Sequence, residues 1–348
     1  MLKVLMVVVY MKTSEENLFL FNGHNIKKYT LINDNKTKIE VLSWGGTLIT
    51  FDVYNNNSKK SLVVSYDNIK DYINDNWKLC KSVGPVAGRI GNASYSIDNK
   101  YYKVTANENG NLLHSGFNGF SDINWTGVIK NNDKKSSIIL SHHFNSFEDS
   151  FPGDTDVNII YSLDQNDCLT ISWNIFSNRT TLFNPTLHTY FNVNDHNNLN
   201  NQKLKIFSDY VLELSDNKIP TGSFLSVSNT PYDFRKGIYI NDALNHLNEQ
   251  TKKKTFDDAY LVDSDFNKPI AIISSDEDEI KIFSNRNGLI LFIANPLDSK
   301  EQKLNHFNSV ALEAQMLPDA INHSNFGNII LDSEQSFEGK IKYEYIRH

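Results

Sequence analysis

The sequence predicts an all-β protein, a sandwich or barrel of antiparallel strands with a few short helices. Three observations carry this. Apolar and polar residues alternate at period two along most of the chain. Asn, Asp and Gly clusters punctuate the alternating runs as turns. Only two stretches show helical spacing. No repeat, Pro-rich linker or shift of composition divides the 348 residues. A single domain over residues 12–348 is therefore expected, since all-β architectures often run this large as one unit.

The elements follow in order. Residues 1–11 are apolar apart from Lys3. They are too few to span a membrane and lack a small-residue cleavage site before Lys12-Thr-Ser-Glu-Glu16. They read as an extra leader or a short added strand, with Met11 as an alternative start. Residues 28–32, 38–42 and 47–53 alternate as strands, set apart by Asn/Asp turns and by Gly45-Gly46. Over residues 67–74, Ile69, Tyr72 and Ile73 fall at helical spacing and predict one short helix. Strands are expected over 101–104, 137–141, 158–163 and 169–177. A second short helix, capped by Asn241, turns Leu244 and Leu247 inward. Strands return over 270–274, 279–283 and 289–294.

Composition narrows the function. The chain is 40% hydrophobic and 12% aromatic, enough for a large core, and carries a formal charge of −7. It has no basic patch, which argues against nucleic acid or an anionic membrane as partner. The two cysteines, Cys80 and Cys168, lie far apart and have no metal-ligand spacing. A reducing compartment, the cytoplasm, fits them.

The most informative stretch is Ser309-Val-Ala-Leu-Glu-Ala-Gln-Met316. Val310, Leu312, Ala314 and Met316 share one face; Ala311, Glu313 and Gln315 share the other. Read alone, it is a half-exposed edge strand that ends in the turn after Leu317-Pro318. A second run, Thr186-Leu-His-Thr-Tyr-Phe-Asn-Val193, has the same period and places His188, Tyr190 and Asn192 on one face. Together the two strands offer an acid–base set. Val83-Gly-Pro-Val-Ala-Gly-Arg-Ile90 places Arg89 in a loop of small residues, where backbone and ligand approach closely and Arg donates several hydrogen bonds. It has no phosphate-loop spacing. His114 follows two leucines and precedes a glycine turn; Asp257 and Asp258 begin a strand. Among His114, His142, His143 and His188, no helical or strand pair carries a nearby acid, so no metal is expected.

With these motifs in view, the sequence resembles the aldose 1-epimerase (galactose mutarotase) family from about Lys28 to the C-terminus. The matching stretches begin with Tyr29-Thr-Leu31, Ser43-Trp-Gly-Gly-Thr-Leu-Ile49, the Arg89 loop, Asn111-Leu-Leu-His-Ser-Gly116 and Phe151-Pro-Gly-Asp154. They continue with Asn184-Pro-Thr-Leu-His-Thr-Tyr-Phe-Asn192, Ile219-Pro-Thr-Gly222, Asp233-Phe-Arg235, Phe256-Asp-Asp-Ala-Tyr260 and the Glu313 strand with Pro318-Asp319. The resemblance implies a large twisted two-layer antiparallel β-sandwich, a supersandwich. It implies interconversion of the α and β anomers of aldohexoses such as galactose and glucose, with no cofactor. His188 matches the general acid and Glu313 the general base. Arg89, His114 and Asp257 match residues that hold sugar hydroxyls or the ring oxygen. Asp257 is preferred to Asp258 because the family spacing places an aromatic, here Tyr260, three positions on. Ser115, Asp258 and Leu187 depart from the family's usual glycine, histidine and asparagine, and are expected to bear on the sugar pocket. The partner implied is a monosaccharide, the assembly a monomer or homodimer.

The chemistry needs one proton acceptor and one donor on opposite sides of the hemiacetal. Ordinary pKa values predict an ionised Glu313 and a partly protonated His188 whose pKa nearby anionic charge raises. Three rivals stand beside this reading. A non-catalytic sugar-binding protein on the same scaffold needs neither Glu313 nor His188. A hexose-phosphate epimerase needs further cations, and Arg89 is the one arginine in the matched motifs placed to meet the sugar. A glycoside hydrolase needs two carboxylates across a scissile bond, for which Asp257 and Glu313 are the candidate pair.

Overall fold

The computed structural model describes residues 11–55, 58–132, 134–148, 151–194 and 197–348. Residues 1–10 of the apolar leader thus lie outside the described residues. Met11 is buried and leads directly into a strand, Lys12–Phe21.

Three antiparallel sheets make the body. A five-stranded meander runs in chain order through Lys12–Phe21, His24–Ile32, Lys38–Leu42, Thr47–Asn55 and Ser58–Ser61. A nine-stranded sheet has Cys168–Ser177 and the last strand, Ser336–Arg347, at its centre. A six-stranded sheet runs in the order Tyr190–Phe191, Ser309–Gln315, Gly288–Ala294, Asp257–Leu261, Tyr210–Leu214 and Pro220–Ser226. The bridge Val63↔Phe191 joins the meander to this third sheet. The nine-stranded sheet packs across them. Trp173 donates its indole N–H to Ser82 (2.8 Å), Tyr343 lies edge-on to Phe191 with ring centres 5.1 Å apart, and its hydroxyl meets Thr189 Oγ1 at 2.8 Å. All of these side chains except Ser82 and Thr189 belong to one continuous apolar cluster. The result is a two-layer β-sandwich, about 49% strand, with two α-helices among the described residues, Ile240–Thr251 and Ser299–Lys303. No helix among them is long and apolar enough to cross a membrane.

Four sequence expectations change. The Glu313 strand is not an edge. Tyr190–Phe191 pairs on one side and Gly288–Ala294 on the other, so all seven residues are buried. Its polar face looks into a cleft, not into bulk water. The run 186–193 is not one strand: Thr186–Leu187 pairs with Ser82–Val83, and Tyr190–Phe191 pairs with the Glu313 strand. His188 breaks it because its N–H donates to the Lys81 carbonyl and its own carbonyl accepts from Cys80 N–H, both at 3.0 Å. The second helix starts one residue before Asn241, which bonds Asn200 through its side chain and caps nothing. The longest strand of all, Ser336–Arg347, was not among the predicted elements although Phe337, Ile341, Tyr343 and Tyr345 alternate with Glu and Lys.

The Thr189–Tyr343 contact ties the segment carrying His188 to the opposite layer. Tyr343→Phe should leave the Thr189 hydroxyl buried without its partner and cost about 1–3 kcal/mol. A urea midpoint lowered at unchanged m value is the expected result; an unmoved midpoint would mean that this contact does not stabilise the sandwich.

Candidate active site

A cleft of about 260 Å³ opens on the six-stranded sheet, and all five residues singled out from the sequence line it: Arg89, His114, His188, Asp257 and Glu313. Its size sits near the lower end of ligand pockets.

Glu313 projects from the buried central strand directly opposite Ile290 on the next one. It is 3% exposed, and His188 is 5% exposed. His188 Nε2 stands 3.4 Å from Glu313 Oε1. The imidazole is held from behind by the Tyr190 ring, stacked at 4.9 Å and 15°. Tyr190 is fixed in turn by its hydroxyl, which donates to the Trp77 carbonyl at 2.9 Å. At that separation an ion pair would lower the acid and raise the imidazole. Burial outweighs it: a charge withdrawn from water is destabilised whichever its sign. The Glu313 carboxyl is pushed up to about 8, first by burial and then by the Asp257 charge, with Arg89 opposing. The His188 imidazole is pushed down to about 4, chiefly by burial, with Asp257 opposing. The expected ionised Glu313 and charged His188 are therefore reversed in the resting site. Both groups are neutral near pH 7, and the pair holds a single proton, on the carboxyl.

His114 lies edge-on to His188 with ring centres 5.6 Å apart. Its Nδ1 accepts from Gly88 N–H at 3.2 Å, and its backbone N–H donates to the Gly88 carbonyl at 2.9 Å. The proton of the neutral ring is thereby placed on Nε2. Burial and the His188 and Arg89 neighbours hold the pKa of this ring well below its ordinary value. Gly88 permits the contact. It sits at φ +75°, and a Cβ there would lie 2.8 Å from the Gln315 amide nitrogen and 3.0 Å from Pro318.

Four charges alternate along the cleft wall. Glu108 accepts from Arg89 Nε at 2.6 Å and Nη2 at 3.0 Å. Arg89 Nη2 lies 3.8 Å from Asp257 Oδ2, which also takes the Lys218 ammonium. Asp258 turns aside to Lys253 at 3.2 Å and accepts from the Asp257 backbone N–H. That geometry separates the roles of the two adjacent acids in the resting site. Of the three departures from the family pattern, only Asp258 lines the cleft. The expectation for the other two does not hold: Ser115 exchanges hydrogen bonds with Val86 N–H and C=O, pinning the Arg89 loop, and Leu187 is packed in the core.

His114, His188 and Glu313 do bring one ligand atom each within 4.8 Å of one another, a grouping that linear spacing did not reveal. The outer shell opposes a metal there. A ligating imidazole normally donates its second N–H to an acceptor, whereas His114 Nδ1 faces a backbone N–H donor. His142 and His143 lie elsewhere, the first against Trp125 and Phe144, the second paired with Asp156.

Sequence reasoning missed Glu108, Lys218 and Trp77, all in the cleft. For Glu108 a signal existed. Asn109 and Gly110 form a tight two-residue turn with φ 47° and 84°, the Asn-Gly signature of a hairpin, and Glu108 bridges Asn111 across it. Lys218, at φ 60° in the turn before Ile219, carries no such mark.

Similarity to known proteins extends over nearly the whole chain. The sequence model of one family, described as aldose 1-epimerase, matches residues 27–344. The chain is 37% identical over 329 residues to a maltose epimerase of Levilactobacillus brevis, covering 94% of this chain and 96% of that one. It is 38% identical over 349 residues to an aldose 1-epimerase of Streptococcus thermophilus, covering 96% and 99%. Among solved structures, a galactose 1-epimerase from Lactobacillus acidophilus NCFM superposes with a TM-score of 0.86 at 24% identity, over 97% of this chain and 99% of that chain; this likeness bears on the fold.

The charge state of the pair can be read directly. In ¹³C-carboxyl-labelled protein, one glutamate resonance should titrate with a midpoint near pH 8 and vanish in Glu313→Gln. A Glu313 midpoint at the ordinary 4.5 would overturn the account of burial given above.

Proposed function

Starting from the premise that the chain belongs to the aldose 1-epimerase family, we propose that it opens and recloses the ring of free aldohexoses, galactose and glucose among them, with Glu313 and His188 exchanging the protons. Members of this family interconvert sugar anomers, an isomerase reaction. The observation that carries the residue assignment is the Glu313–His188 pair, buried in the cleft with Nε2 and Oε1 3.4 Å apart.

The reaction needs a pair of that kind. A base takes the proton of the anomeric hydroxyl while an acid protonates the ring oxygen, and the C1–O5 bond breaks to leave the free aldehyde. C1 then turns about the C1–C2 bond. The C5 hydroxyl attacks the other face, the two residues reverse roles, and no net proton is gained or lost. Glu313 acts as the base and His188 as the acid in ring opening. Hydrogen bonds from sugar hydroxyls favour a carboxylate over a carboxylic acid, so substrate itself draws the proton off Glu313, and His188 lies within reach to receive it. Arg89 and His114 offer donors, and Asp257 an acceptor, for the remaining oxygens. An Arg beside the ring oxygen stabilises negative charge developing there. Among the described residues, the two free cysteines, Cys80 buried and Cys168 half-buried, support a reducing, cytoplasmic setting.

Glu313→Gln and His188→Asn should each lower kcat by roughly 10²- to 10⁴-fold. Polarimetry of freshly dissolved α-glucose, α-galactose and α-maltose measures this and ranks the substrates; wild-type rates in either variant would remove that residue from the mechanism. The pH profile should be bell-shaped, because only the singly protonated pair is competent. Below about 4 both groups are protonated and no base is left; above about 8 both are deprotonated and no acid is left. Activity still rising well above pH 8 would contradict the one-proton scheme.

A further inference from the structure

We infer that Glu108 is the residue that restricts this sugar site to uncharged substrates. It does so by occupying the guanidinium of Arg89 and leaving no free cation, among the described residues of the cleft, for a phosphate or carboxylate. The inference rests on the sugar-site reading of the cleft given above.

The argument begins with the charge order. Along the cleft wall it runs Glu108, Arg89, Asp257, Lys218, alternately negative and positive, and sums to zero. A bare Arg89 would be the preferred partner of any anionic sugar, since its planar fork pairs with phosphate or carboxylate through two parallel hydrogen bonds. Glu108 takes that very arrangement, with Nε and Nη2 each held by one of its oxygens. The third cation of the cleft, Lys78, is spoken for as well: Asp122 accepts from it at 2.7 and 3.0 Å. An incoming anion would have to break one of these pairs and leave a carboxylate unpaired. A neutral hydroxyl need not, because it accepts from the outer N–H groups of Arg89 or donates to a free carboxylate oxygen.

Glu108 is built to stay. It sits at the base of the Asn109-Gly110 turn and bridges Asn111 through backbone hydrogen bonds. Two other side chains pin the same hairpin: Asn111 accepts from Asn92 N–H, and Asn107 exchanges bonds with the Leu113 backbone. The carboxylate is thus delivered to Arg89 by a rigid short turn. Specificity gained by making the wrong partner unfavourable needs such a fixed competitor.

Removing the charge of Glu108 leaves two cations against one carboxylate in the row. Glu108→Gln, and Glu108→Ala as a second replacement, should therefore create an anion site. Inorganic phosphate is the probe, added at constant ionic strength. Wild-type protein should show neither a phosphate-dependent rise in melting temperature nor competitive inhibition of mutarotation. Both variants should show both effects, with phosphate bound at least roughly tenfold more tightly than by wild type, the increment expected of one charge-assisted bidentate contact. Equal phosphate binding by wild type would overturn the inference, and so would indifference of the folded variants. The melting arm needs no turnover. If wild type fails to mutarotate any aldose, the proposed function falls while the role of Glu108 is still decided.

Discussion

Withdrawal of one carboxyl and one imidazole from water, 3.4 Å apart, is the constraint on which the rest of the site depends. Exposed, Glu313 would be ionised and His188 partly charged at neutral pH, each with its own counterions. Buried, each resists charge alone, and a proton lost by one is best taken by the other. On the function proposed above, that suits the pair to moving a proton over a short distance. The cost is the desolvation of two polar groups, and the sandwich meets it by placing them on segments that cannot retreat. The Glu313 strand is paired on both edges, and the backbone of His188 is bonded to Lys81 and Cys80.

Around that neutral pair the cleft wall is charged but balanced. Glu108, Arg89, Asp257 and Lys218 present strong donors and acceptors whose formal charges sum to zero. At the Glu313 carboxyl two of them oppose one another: Asp257 raises its pKa and Arg89 lowers it. A site for a neutral polyol needs many hydrogen-bonding groups. Supplying them as opposed pairs keeps each one oriented before substrate arrives.

Much of the fold was legible from alternation, because period-two patterning directly records which face of a strand is buried. Residues 38–42 and 158–163 are examples. Legibility failed where pairing, not patterning, decides. Nothing in Thr186 to Val193 says that the backbone of residues 80–81 will intervene at His188. Nothing in Ser309 to Met316 says that the polar face meets a cleft. The polar first strand, Lys12–Phe21, gave no prediction, because it is a largely exposed sheet edge that pairs with His24–Ile32 and carries ion pairs such as Lys28–Glu16. Of the cleft lining, the five residues with motif context were legible in the sequence. Glu108 and Lys218 were not, because their relevance lies in which side chain they face. The charge state of the acid–base pair was read the wrong way round, since composition and spacing carry no measure of desolvation.

The Gly88–His114 contact has one more consequence. With Nδ1 committed to a backbone amide and protonation of the ring strongly disfavoured, His114 shows the cleft a single unchanging N–H. It works as a fixed dipole, not as a titrating group. Its orientation is therefore the same at acid and alkaline pH, and any oxygen that meets this N–H in the cleft meets constant polarisation.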